Sequence, residues 1–291
     1  MAIRFTRKRV LGALLALLLV YVGLMIVESR KPPLPAVRAL ENHPQGYIFV
    51  SMIVDLVEAQ LEGAGGWTVN DLPFSPGYWL DNLPSFQLGV LSVVRPVSAM
   101  LRDDLGRERA GEQPHPELAL AADSYAADLQ RWSNPSAESM LQRGDDALVR
   151  FRQDLGGRAH VYPRAASVQR LVESFAQELD AVDQRLLLSG DRNVVPWYKV
   201  DDNLYFAQGA AFAQLGLLQA IRADFAELFP PGKLNPALDT AVNALAESQF
   251  EPWIVTNGSK SSFLANHSAT LRAILEEARR ALVTLAAGLK S

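Results

Sequence analysis

The residue types that most often build metal sites and nucleophilic centres are sparse in this chain, which has four histidines and no cysteine. No HExxH or comparable ligand spacing links the histidines, which fall in separate segments at His43, His115, His160 and His267. The GxSxG and SxxK patterns of serine nucleophiles are also missing. We therefore expect no metal site, no cofactor and no catalytic residue, although a triad assembled from distant segments would leave no local pattern.

Two adjacent carboxylates, Asp201 and Asp202, could bind a cation, and one of them could act as a general base. Neighbouring positions on a helix point about 100° apart, so these side chains do not converge as paired catalytic acids must. A place in the first turn of a helix, favoured by the helix dipole, explains them at least as well. The stretch around them is a secondary candidate surface, consisting of Trp197, Tyr198, Lys199, Asp201 and Asp202.

The most unusual segment runs from Trp67 to Phe86 and reads WTVNDLPFSPGYWLDNLPSF; we call it the connector. One interpretation is two successive helix entries, because Asp or Asn can cap a first turn and proline suits the first helical position. Its aromatic side chains would then hold it against the rest of the domain. The other interpretation is a ligand or partner surface, because a long loop rich in aromatic and acidic residues is costly for a mere connection. The candidate residues of that surface are Trp67, Asn70, Asp71, Tyr78, Trp79, Asp81 and Asn82.

Helical periodicity dominates the chain after its N-terminal region. Between Val168 and Leu186 the apolar residues recur in steps of three and four, which places them along one stripe of a helix. The segment from Leu271 to Leu285 repeats this pattern. Glycine and proline mark the breaks between the other predicted helices, which span about 47–62, 84–105, 116–130, 136–155, 201–229 and 236–249. The sequence therefore predicts an all-α fold, a bundle of long antiparallel helices.

Residues 10–27 form an uncharged apolar run, VLGALLALLLVYVGLMIV. At about 1.5 Å per residue a helix of this length covers roughly 27 Å, close to the hydrocarbon thickness of a bilayer. We therefore predict a transmembrane anchor over 10–27, with the lipid bilayer as its partner. A signal peptide cleaved after Ser29 is the alternative. Gly12 and Ala16 form a small-xxx-small pair that could support a homodimer.

Charge is distributed unevenly along the chain. Residues 1–31 carry six basic side chains and one acidic side chain, whereas the rest carries 22 basic and 31 acidic ones. Because four of the basic residues precede the apolar run and two follow it, the positive-inside rule predicts a cytoplasmic N-terminus and an exported domain. In a Gram-negative bacterium that domain is periplasmic and the anchor lies in the inner membrane. Phosphate backbones would repel so acidic a domain, so we expect no nucleic-acid partner.

These observations divide the chain into four parts. Residues 1–9 are predicted to be a basic cytoplasmic tail and residues 10–27 the anchor. Residues 28–43 are predicted to be a proline-rich spacer, because the sequence Lys-Pro-Pro-Leu-Pro at 31–35 cannot continue a helix. Residues 44–291 are predicted to be the helical periplasmic domain.

Several segments resemble a known bacterial family. The apolar run is followed in order by GWTVNDLPFSPGYWLDNLPSFQLGV, WSNPSAES, PWYKVDDNLYFAQGAAFAQL and LANHSATL. This order resembles the family called domain of unknown function 2333, and the likeness extends over nearly the whole chain. The resemblance implies an inner-membrane protein of Gram-negative bacteria and implies no activity, cofactor or catalytic residue.

The sequence therefore favours a non-enzymatic, membrane-tethered envelope protein whose helical domain binds or scaffolds another envelope protein. The alternative is a membrane-anchored hydrolase or ligand-binding domain that acts on cell-envelope material.

Overall fold

The computed structural model describes residues 7–38, 42–72, 75, 82–109, 111–189, 199–229, 232, 234–251 and 266–290. The described residues form α-helices and no β-strand, which confirms the all-α fold. The helices are α1 (Arg7–Glu28), α2 (Tyr47–Glu62), α3 (Asn82–Met100), α4 (Pro116–Tyr125), α5 (Ala137–Asp154), α6 (Ala165–Leu188), α7 (Val200–Asp224), α8 (Asn235–Glu247) and α9 (His267–Leu289). A π-helical turn, Leu101–Leu105, extends α3, and a 3₁₀ turn, Ala226–Leu228, follows α7.

Local sequence determines where several of these helices begin. The Ser136 hydroxyl accepts a hydrogen bond from the backbone N–H of Ser139 at 3.3 Å, so it caps α5. Asn266 caps α9 through the N–H of Ala269 at 2.8 Å. The predicted start of α5 near residue 136 is thus confirmed. Helix α4 ends at Tyr125, five residues before its predicted end at 130.

Helix α7 forms the centre of the bundle. It is long and apolar enough to cross a membrane, but 83% of its apolar window is buried among the other helices, as expected for the core helix of a bundle. Its closest neighbour is α3. A Cβ added at Gly209 would lie 2.0 Å from the Phe86 carbonyl oxygen, and one at Gly89 would lie 2.1 Å from the Phe206 carbonyl oxygen. The two backbones are therefore in direct contact.

Most neighbouring helices run antiparallel. Two ion pairs show this for α6 and α9. Arg272 near the start of α9 pairs with Asp183 near the end of α6 at 2.7 Å, and Lys290 after the end of α9 pairs with Glu173 in the first half of α6 at 3.3 Å. Helices α3 and α7 are parallel, since Ser85 contacts Asp202 near the start of both. The N-terminal ends of α3 and α7 consequently lie side by side.

Helix α1 differs from the others because the bundle buries none of its apolar stretch. Its apolar window, Val10–Glu28, has a mean hydropathy of 2.8 and none of it is buried. The chain that follows α1, predicted as a spacer, packs along the bundle instead of standing clear of it. Arg38 pairs with Asp55 of α2 at 2.9 Å. Leu34 lies against Gly216 of α7, within 3.5 Å of the place that a Cβ there would occupy.

Candidate functional site at one end of the bundle

The ends of several helices surround the point where α1 meets the bundle. After α2, a Cβ at Gly65 would lie 2.6 Å from the carbonyl oxygen of Glu28, the last residue of α1. Asn82, the first residue of α3, lines an open cleft of about 490 Å³ together with Ile26 and Tyr205. The start of α7 therefore faces the same cleft. We call this region the α1 end of the bundle, and the other extremity the far end.

Further contacts bring α6, α8 and α9 to the α1 end. The Asn203 amide near the start of α7 donates to the Ser189 hydroxyl after α6 at 2.8 Å. Gln208 donates to the carbonyl oxygens of Ser248 and Phe250 after α8, at 3.0 and 2.7 Å. The rings of Phe250 and His267, the latter at the start of α9, are 6.3 Å apart. Helices α2, α6 and α8 thus end here, and α3, α7 and α9 begin here.

Lys31 connects the chain after α1 to the core of the bundle. Its ammonium group donates to the Gln208 side-chain oxygen at 3.2 Å and pairs with Glu251 at 3.4 Å. It also lies 5.8 Å from the ring centre of Phe86 and 5.5 Å from that of Tyr205. Burial lowers the pKa of Lys31, and the Glu251 carboxylate opposes that shift. These contacts join residues distant in sequence, and Lys31 was not among the predicted candidates.

Helix α1 also contacts the connector directly. The Tyr21 hydroxyl donates to the carbonyl oxygen of Ser75 at 3.3 Å. The backbone N–H of Ser75 in turn donates to the Leu72 carbonyl oxygen at 2.9 Å, which closes a turn at this point. The turn at Ser75 thus lies against the side of α1.

Trp67 holds the start of the connector on the bundle. Its side chain is buried, and its indole N–H donates to the carbonyl oxygen of Leu129 at 3.0 Å. The buried side-chain oxygen of Gln87 accepts from both the backbone N–H and the hydroxyl of Thr68, at 3.0 and 2.9 Å. Trp67 therefore acts as a packing contact, as the interpretation of the connector as two helix entries expects. Gln87 was missed because a lone glutamine on a helix carries no sequence signal.

Asn70 and Asp71 lie at the surface beside the connection between α4 and α5. The Asn70 amide donates to the Arg131 carbonyl oxygen at 3.0 Å and to the Glu138 carboxylate at 3.1 Å. Partial burial raises the pKa of Asp71, a hydrogen bond from Ser75 opposes this, and the Glu138 charge adds to it. Of the other connector candidates, Tyr78, Trp79 and Asp81 lie outside the described residues. The buried side-chain oxygen of Asn82 has no hydrogen-bond partner among the residues described.

The secondary candidates lie at the same end of the bundle as the connector. Asp201 and Asp202 occupy the first turn of α7, where the helix dipole favours carboxylates, and Ser85 of α3 donates to Asp202 at 3.3 Å. Lys199 precedes this turn. Trp197 and Tyr198 lie outside the described residues. The parallel packing of α3 and α7 therefore brings both candidate regions together, which the sequence did not predict.

Two buried carboxylates lie away from the candidate surfaces. Asp145 of α5 accepts a hydrogen bond from the Tyr125 hydroxyl at 2.5 Å, and burial is the main cause that raises its pKa well above the ordinary value. Asp224 at the far end accepts from the N–H groups of Gly46 and Phe49, at 3.0 and 2.8 Å, so it caps α2. Burial also raises the pKa of Asp224. Both oxygens of Asp224 therefore have hydrogen-bond donors, whereas the second oxygen of Asp145 is buried without a partner among the described residues.

The four histidines have separate structural surroundings. His115 caps α4 by accepting from the N–H of Glu117 at 3.3 Å, and His43 lies 3.8 Å from Asp224. His160 stacks on Tyr162, and His267 lies near Phe250. Within the described part of the chain, no three histidine or carboxylate side chains come together as they would to hold a metal ion.

Comparison with known proteins points to one family. The model of the family described as an uncharacterized protein conserved in bacteria (DUF2333) matches residues 3–195 and 190–291. No curated protein and no solved structure matches the chain.

Proposed function

We propose that this chain, which belongs to the DUF2333 family, is a membrane-tethered, non-enzymatic protein of the bacterial envelope whose helical domain binds another envelope protein. The observation that carries the proposal is α1. It is apolar and long enough to span a bilayer, and none of its apolar stretch is buried by the bundle. A helix of this kind is stable when lipid covers it. We further propose that it is retained in the inner membrane with the domain in the periplasm.

The way α1 joins the bundle supports a scaffold. Lys31 and the segment 32–38 pack on α2 and α7, so they form no free linker. The domain therefore holds a defined position relative to the bilayer. A partner that binds the described candidate surface at Asn70 and Asp71 must itself reach the membrane surface. A membrane protein of the same bilayer meets this requirement.

The surface is tested by photo-crosslinking in intact cells. A photoreactive amino acid replaces Asp71 in the full chain, and the matched control carries it at Arg158, which is 85% exposed at the far end. We expect a discrete protein adduct from position 71 and none of the same mass from position 158. Equal adducts from both positions, or none from position 71 in correctly folded protein, would contradict the proposed partner surface.

Homodimerisation through Gly12 and Ala16 stays a prediction. Both residues lie on the exposed helix α1, and nothing lies within 4 Å of the place of a Cβ at Gly12. In the crosslinking experiment, an adduct at the mass of two chains would identify a second copy of this protein as the partner.

A further inference from the structure

The α1 end of the bundle carries most of the domain's exposed apolar side chains. Outside α1, five large hydrophobic side chains of the described residues are exposed: Leu72 at 59%, Trp132 at 70%, Leu187 at 49%, Leu188 at 48% and Val283 at 50%. The first four belong to the α1 end, and only Val283 lies elsewhere. We call these four residues the apolar rim. Soluble surfaces scatter such side chains, so their concentration at one end calls for a covering surface.

The contacts of neighbouring residues place each member of the rim. Leu72 belongs to the turn that Ser75 closes beside α1. Trp132 directly follows Arg131, whose carbonyl oxygen accepts from Asn70 of the connector. Leu187 and Leu188 are the last two residues of α6, next to the contact between Ser189 and Asn203 of α7. The rim thus follows three neighbouring connections at the α1 end.

The position of Tyr21 sets the depth of this end relative to a bilayer. A hydrocarbon layer about 30 Å thick takes the whole apolar run from residue 10 to residue 27, at about 1.5 Å per residue. Tyr21 lies seven residues before the end of α1 at Glu28, which is about 10 Å along the helix. Its hydroxyl contacts the Ser75 carbonyl oxygen, 3.3 Å away, so the connector lies beside the last two turns of α1, near the level at which the helix leaves the hydrocarbon layer.

The distribution of tryptophan agrees with this placement. Of the five tryptophans in the chain, the structure describes Trp67 and Trp132. Both lie at the α1 end, where Trp67 is buried and Trp132 is exposed to the surroundings. Trp79, Trp197 and Trp253 lie outside the described residues. Tryptophan is enriched where proteins meet the interface between lipid and water.

We propose that the apolar rim inserts into the interfacial layer of the leaflet from which α1 emerges, so that the domain rests on the bilayer. This inference rests on the proposed membrane anchoring of α1. The contact is shallow, because the exposed side chain of Arg131 and the half-buried Asp71 lie beside the rim and stay at the level of the lipid headgroups. The partner recognised by the rim is the lipid surface itself.

The test uses full-length protein reconstituted in phosphatidylcholine vesicles. Because the chain has no cysteine, a single introduced cysteine can carry an environment-sensitive fluorophore. Ser133→Cys puts the label next to an intact Trp132. Leu18→Cys, 56% exposed on α1, reports on the anchor, and Arg158→Cys, 85% exposed, reports on the far end. Fluorescence is compared in vesicles without spin-labelled lipid, with a lipid spin-labelled high on its acyl chain, and with a lipid spin-labelled near the end of its acyl chain.

We expect the lipid labelled high on its chain to reduce the fluorescence at position 133, and the lipid labelled near its chain end to reduce it at position 18, each by about twofold or more. Both lipids should leave position 158 unchanged. Quenching at position 18 without quenching at position 133 would overturn the insertion of the rim while leaving the anchor in place. A lack of quenching at position 18 would overturn the anchor and, with it, this inference. Equal quenching at positions 133 and 158 would show non-specific adsorption and would also overturn the inference.

Discussion

Direct contact between the backbones of α3 and α7 predicts that Gly209→Ala destabilises the bundle. The added Cβ would lie 2.0 Å from the Phe86 carbonyl oxygen, more than 1 Å inside an ordinary contact of about 3.4 Å or longer. Because the obstacle is backbone, no side chain can rotate away, and the two helices must move apart. Overpacking of this kind costs about 1–3 kcal/mol. Alanine recovers about 1 kcal/mol through its better helix propensity. We take the upper part of the cost range and expect a net loss of about 1–2 kcal/mol.

Gly216→Ala in the same helix is the matched control. Its Cβ would meet flexible side-chain atoms, the Met52 sulfur at 2.9 Å and a Leu34 methyl carbon at 3.5 Å. These can move by a few tenths of an ångström, so the helix propensity of alanine should offset the cost and leave stability within about 1 kcal/mol of the wild type. Thermal unfolding of detergent-solubilised protein measures both variants, and each kcal/mol corresponds to about 2–4 °C. If Gly209→Ala unfolds at the temperature of Gly216→Ala or higher, the proposed helix contact is wrong.

Two further variants test the packing of the α1 end and the buried carboxylate of α5. Trp67→Phe removes the donor to the Leu129 carbonyl oxygen and should lower the free energy of unfolding by about 1–3 kcal/mol. The control, Trp132→Phe at an exposed site, should leave the free energy of unfolding nearly unchanged. Equal losses in the two variants would contradict the assigned contacts. For Asp145, burial raises the pKa in the folded state above the ordinary 3.8, so the folded protein binds more protons. The free energy of unfolding of the wild type should then fall as the pH rises from about 4 towards neutrality. Denaturant titrations at several pH values should show a weaker pH dependence in Asp145→Asn. The same pH dependence in both proteins would refute a protonated Asp145 in the folded state.

The sequence predicts the helices well where local periodicity and capping determine the position and the start of a helix. The stripe from Val168 to Leu186 lies within α6, and α5 begins next to the predicted residue 136, where Ser136 caps it. The prediction for α4 runs too far, because the chain beyond Tyr125 is held by a distant residue. The Leu129 carbonyl oxygen accepts the indole N–H of Trp67, a contact across 62 positions that no local pattern contains.

The candidate site shows the same limit. Its connector residues were chosen from composition, but composition could not show that Trp67 is buried while Trp132, never singled out, is 70% exposed. The proline-rich segment at 31–35 correctly predicts a break in the helix. That this segment packs on the bundle depends on Lys31 meeting Gln208, 177 positions away. A contact between residues so far apart leaves no local pattern in the sequence.

The central claim is that α1 stays in the inner membrane and holds the bundle on the periplasmic side. Alkaline phosphatase fused to the C-terminus tests this most directly, because the enzyme is active only after export. We predict high phosphatase activity that sediments with membranes and resists extraction by alkaline carbonate. An inactive fusion would contradict the orientation, and active enzyme in the soluble periplasmic fraction would show that the anchor is cleaved.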